Sequence, residues 1–100
     1  MISPENFKKE VITLGTHVGV TPKEIHFRKM KRKWASCSSK GRLTFDYALL
    51  NEQREERYRV ILHELLHLKY PTHGKIFNTM LETYLKKSLQ DHQTPTGDGT

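Results

Sequence analysis

Pro71 divides the most strongly patterned half of this chain into two helices, and the chain must fold back on itself between them. Before the break, Tyr58, Ile61, Leu62, Leu65 and Leu66 form one apolar stripe, and the Glu/Gln/Arg-rich lead-in from Glu52 to Arg57 favours a helix start there. The residue before a proline avoids helical angles, so this helix is expected to end at about Tyr70. After the break, Ile76, Phe77, Met80, Leu81, Tyr84 and Leu85 predict a last helix over about His73 to Leu89, with these side chains facing inward. A chain of 100 residues can bury one modest core of this kind and no second one.

The first half supplies the partners for these helices. Ser3-Pro4-Glu5 reads as a helix start, with a capping hydroxyl and proline at the first helical position. Phe7, Val11, Leu14 and Val18 follow at helical spacing, so residues 4–18 are expected to form an amphipathic helix that Gly19 and Thr21-Pro22 interrupt. From Glu24 to Ser36 the pattern shifts towards alternation, with Ile25, Phe27 and Met30 on one side, which predicts a strand. Ser38 to Gly41 has the composition of a tight turn, and Arg42 to Phe45 supplies a returning strand, so together they predict a β-hairpin. The resulting expectation is a small α+β domain over residues 1–89. A polar C-terminal tail without periodicity, residues 90–100, follows it.

Inside the predicted helix that ends before Pro71 lies His63-Glu64-Leu65-Leu66-His67. Residues four apart share a helix face about 6 Å apart along the axis, so both imidazoles can reach one metal ion. Glu64 sits about 100° around the helix, beside such an ion, where a carboxylate can touch a bound water without being a ligand. Catalytic zinc needs a third protein ligand and an open fourth position. His73 follows the Pro71 break and can supply that ligand, while Glu82 on the last helix is an alternative. With six histidines and eight glutamates in the chain, chance alone would give about 0.03 such motifs, so the pattern carries information. A packed pair of core histidines and a closed structural zinc site are the competing readings, and Cys37 could close the site as a fourth ligand.

Charge and cysteine content limit the other classes. The lone Cys37 excludes an internal disulfide, and the N-terminus turns polar at once, so the expected location is cytoplasmic. The longest apolar stretch, Val60 to Leu68, is too short to cross a bilayer, and no membrane partner is expected. Net charge is +6, with Arg28, Lys29, Lys31, Arg32 and Lys33 clustered. Such a stripe can attract nucleic acid or acidic substrates, or can simply be a solvated basic face.

The chain resembles the minigluzincins, soluble zinc metallopeptidases of minimal size, and larger bacterial metallopeptidases with a Trp-Gly-Ser-Cys-Ser hairpin, His-Glu-Leu-x-His and His-x-x-x-Phe. Here these read Trp34-Ala35-Ser36-Cys37-Ser38, His63-Glu64-Leu65-Leu66-His67 and His73-Gly74-Lys75-Ile76-Phe77, over about residues 20–85. The resemblance implies a gluzincin-like fold with the catalytic helix under a small sheet. It also implies histidine as third ligand, which favours His73 over Glu82, and one zinc ion per chain. Ala35 stands where the family pattern has glycine, and Tyr70 stands where metzincins place one.

The expected reaction is hydrolysis of a peptide or protein substrate, with Glu64 as general base for a zinc-activated water. Tyr47, Tyr70 and Tyr84 are the candidate oxyanion donors. The rival is a zinc-stabilised module that binds nucleic acid through the basic stripe without catalysis. Latency through the tail is a further expectation from the resemblance, with Asp91, His92, Asp98 or the terminal carboxylate of Thr100 offering a group to the metal or its water. The sequence specifies neither oligomeric state nor cleavage preference.

Overall fold

A computed structural model describes residues 1–93, with side chains described to Gln90. Helix α1 covers Pro4–Val18. Ser3 caps it by accepting a hydrogen bond from the Asn6 N–H at 3.1 Å, and Gly19 ends it in the left-handed region at φ 90°. The expected stripe of Phe7, Val11, Leu14 and Val18 is buried. Gly15 lies on the same side, and a β-carbon there would meet the Val20 carbonyl oxygen at 2.7 Å, so the chain turns close against its own helix.

Three strands follow: β1 at Glu24–Arg28, β2 at Ala35–Cys37 and β3 at Arg42–Asp46. The expected hairpin is present as β2 and β3, antiparallel around the turn at Gly41, which adopts φ 90°. The single strand expected over Glu24 to Ser36 is not. It breaks after Arg28, and β1 instead pairs parallel with the far side of β3, giving the order β1-β3-β2. The reason lies in residues 28–33, where five of six side chains are cationic. If the strand continued, Lys29, Lys31 and Lys33 would share one face about 7 Å apart; the stretch instead loops out and carries the chain to the other edge of β3.

Side chains alternate across this sheet. Ile25 and Phe27, Leu43 and Phe45, and Ala35 and Cys37 are in register on one face. Phe7 of α1 meets Phe45 edge-on at 4.9 Å and Phe27 at 5.4 Å, closing that face.

After a 3-10 turn at Tyr47–Asn51, helix α2 spans Arg54–Lys69. It packs against α1, α3 and β2, with Ile61, Leu62, Leu65 and Leu66 fully buried. Arg57 ties it to α1 by a paired contact with Glu10, 2.7 and 3.0 Å long and largely shielded from solvent. Tyr70 is extended at φ −129°, ψ 97°, as the residue before Pro71 should be.

Helix α3 covers Lys75–Gln93, starting later and continuing further than the sequence pattern suggested. Its inward row is Phe77, Leu81, Leu85 and Ser88. Ile76, expected inside, is 69% exposed, because it lies in the first turn one position off that row. The tail expectation concerned residues 90–100; those beyond Gln93 lie outside the described residues, as do the side chains of Asp91 and His92. No helix among the described residues is long and apolar enough to cross a membrane.

Candidate metal centre

The two helices and the Pro71 turn bring His63, His67 and His73 together. One ring nitrogen from each lies within 4.8 Å of the others. The His67 and His73 Nε2 atoms are 2.8 Å apart, and the three ring centroids are separated by 4.5 to 4.9 Å. A tetrahedral zinc with Zn–N bonds of about 2.0–2.1 Å holds its ligand nitrogens roughly 3.3 Å apart. Small side-chain adjustments would bring the three nitrogens to that spacing, and a set of three neutral imidazoles suits zinc chemically.

Phe77 is the floor of the cluster. It is buried and touches all three imidazoles, with centroid distances of 5.4 Å to His63, 5.1 Å to His67 and 4.6 Å to His73. Phe77 lies in the first turn of α3, and His73 lies two residues before that helix begins, so the turn after Pro71 places the last imidazole over the ring that supports it.

Glu64 is buried, and its Oε2 lies 3.2 Å from His63 Nδ1. With Nδ1 donating to this carboxylate oxygen, the Nε2 lone pair of a neutral His63 is left for a metal. Burial, assisted by the charge of His63, pushes the His67 imidazole below its usual range and favours the neutral, ligating form. Cys37 is partly buried; burial first, and the Glu64 charge second, push its thiol up, so it stays protonated at neutral pH. It is not part of the ligand cluster found among the described residues. Nor is Glu82, whose carboxylate is 2.6 Å from Arg59 on α2.

A cleft of about 590 Å³ runs between α2 and the β2 segment, lined by His63, Glu64 and His67 on one side and residues 35–39 on the other. In the order β1-β3-β2, strand β2 has an edge that pairs with no other strand among the described residues. Trp34, 38% exposed, forms part of a smaller apolar recess with Val60 and Leu81, beside His63 and Glu64.

None of Tyr47, Tyr70 and Tyr84 lines the main cleft. Tyr47 stacks on Phe27 instead, at 5.7 Å. The donors that do line it are Lys33, Ser36, Ser38 and Ser39. Pattern reading singled out none of these as an oxyanion donor, although the Trp34–Ser38 motif marks the segment that carries two of them.

The sequence profile of the YgjP-like metallopeptidase domain matches residues 3–94. Among solved structures, the chain is similar to the metallopeptidase zymogen of Pyrococcus abyssi abylysin, at 26% identity and a TM-score of 0.63, covering 94% of this chain and 94% of that one. The expected small gluzincin-like α+β fold agrees with that match. No curated protein sequence matches.

Proposed function

The chain belongs to the YgjP-like metallopeptidase family, and on that footing we propose that His63, His67 and His73 hold one catalytic zinc ion beside which Glu64 acts as general base. The convergence of three imidazole nitrogens within 4.8 Å, next to a buried carboxylate and an open cleft, carries this reading. Zinc held there supplies Lewis acidity, bringing the pKa of water down to about 7 and polarising the scissile carbonyl.

The remaining steps belong to the chain's own residues. Glu64 Oε2 engages His63 Nδ1, which leaves Oε1 to take the proton of the attacking water and then deliver it to the leaving amine nitrogen. The free edge of β2 offers backbone N–H and C=O groups with which an extended peptide can continue the sheet, laying its scissile bond along α2. Among the side chains that line the cleft, Ser36 is the one we assign as donor to the developing oxyanion.

Metal analysis tests the ligand assignment. Purified protein should carry about one zinc per chain, and alanine at His63, His67 or His73 should each strip it while Glu82→Ala keeps it. Full zinc retention by His73→Ala would move the third ligand elsewhere.

The solved relative is a zymogen by its own description. We extend latency to this chain, with the C-terminal segment as inhibitor. Because α3 continues to Gln93, truncation should follow that residue so that the helix stays whole. Hydrolysis should then rise at constant zinc content, and unchanged hydrolysis would remove the latency reading.

A further inference from the structure

The cleft continues beyond the histidines. Lys33 and Ser36 line it and also line a second concavity of about 440 Å³, whose remaining wall is the run from Arg28 to Arg32. Five of the six side chains from 28 to 33 are cationic, and all five cations are exposed. None of these five has an ion-pair or hydrogen-bond partner among the described residues. Three arginines elsewhere are matched, Arg42 with Glu24, Arg57 with Glu10 and Arg59 with Glu82, whereas no acidic side chain among the described residues pairs with this run. Asp46 shares a neighbouring concavity with this run, but its Oδ1 is engaged by the Ala48 N–H at 3.1 Å. An uncompensated cluster of one sign raises its own potential and lowers it by taking up an anion.

The position of the cluster selects among anions. Residues 29–34 lead directly into β2, whose free edge borders the hydrolytic cleft. An extended chain that adds to this edge runs past the cationic wall within a few residues. A peptide can complete the ladder with its own amides, whereas a phosphate backbone has no N–H to offer. We propose that the substrates of this site are acidic peptides, with Asp or Glu side chains a few residues from the cleaved bond held by Lys29, Lys31, Arg32 and Lys33. This inference rests on the peptidase reading above and adds the substrate class to it.

The two readings separate in one set of measurements. Hydrolysis of a neutral peptide by the zinc-loaded protein, both full-length and truncated after Gln93, tests the peptidase reading alone. Substrate class is read on the Glu64→Gln protein, which should bind without cleaving. Two fluorescein-labelled peptides share one apolar centre, flanked in one by four Asp and in the other by four Asn, and affinities come from anisotropy. At low salt the Asp peptide should bind roughly tenfold more tightly, the scale of several exposed ion pairs acting together. That advantage should shrink as salt rises. Adding Lys29→Gln, Lys31→Gln and Arg32→Gln should bring the ratio of the two affinities to about one, with an unchanged thermal midpoint excluding misfolding. Equal affinities in the starting protein, or an advantage that survives the triple substitution, would overturn the inference. So would a labelled single-stranded oligonucleotide that binds more tightly than the Asp peptide through the same three side chains.

Discussion

Helix α2 has two sides built on opposite principles. Towards α1 and the sheet, Ile61, Leu62, Leu65 and Leu66 are fully buried, and any apolar group of similar volume could in principle take their places. Towards the cleft, His63 and His67 are only half-buried and Glu64 is a buried carboxylate, and no other residue types would do the same chemistry. The apolar side holds the helix in register, and the cleft side inherits that register as ligand geometry. Chemistry and stability are thus carried by neighbouring residues on one helix, and substitutions should separate them.

The largest expected effect is on the cleft side. Glu64→Gln should lower peptide hydrolysis by about 10²–10⁴-fold, the loss typical of a missing general base. Zinc content and unfolding midpoint should stay within error, because the amide keeps the volume of the carboxylate. Near-normal turnover in a zinc-loaded variant would mean that another group handles the proton.

Its neighbour should behave in the reverse way. Leu65→Ala removes a fully buried side chain between α2 and Gly15 of α1 and should cost about 2–5 kcal/mol in chemical denaturation. The fraction that remains folded should bind zinc and hydrolyse peptide at the wild-type rate per molecule. If activity per folded molecule drops along with stability, the two sides of the helix are coupled more tightly than their packing suggests.

The smallest effect sits on the boundary, at Cys37, whose side chain faces the apolar layer while its strand borders the cleft. Its folded-state pKa lies above the ordinary thiol value of 9.0, through burial and then the Glu64 charge. A raised pKa means that the contribution to stability is complete below that ordinary value and is lost as pH rises through the raised one. Wild type should therefore lose stability above about pH 9 more steeply than Cys37→Ala does. At neutral pH the thiol should also alkylate more slowly in folded than in unfolded protein. Identical alkaline slopes for the two proteins would show that the buried thiol is not what titrates.

Much of this protein follows from local chemistry. The cap at Ser3, the stop at Gly19, the apolar rows of α1 and α2 and the break at Pro71 all depend on side chains within a turn or two of one another. The His63–Glu64–His67 constellation was legible for the same reason, since helical spacing alone puts both imidazoles on one face. Two features were not legible. Alternation from Glu24 to Ser36 looked like one strand because periodicity registers faces and not partners; the parallel pairing of β1 with β3 joins residues eighteen positions apart. The three tyrosines offered as oxyanion donors were chosen by chemical type, and nothing local showed that Tyr47 would stack on Phe27 instead.

The sequence by itself determined which residues can ligate a metal, where α1 begins and ends and where α2 stops, because dihedral preference, capping and periodicity act over a few residues. Only the tertiary structure decided that His73 comes to lie 2.8 Å from His67, that Phe77 underlies all three imidazoles, and that the run from Arg28 to Lys33 lines a concavity sharing Lys33 and Ser36 with the cleft. Those placements depend on how α2, α3 and the sheet bury their apolar faces against one another, and that burial is a property of the whole core.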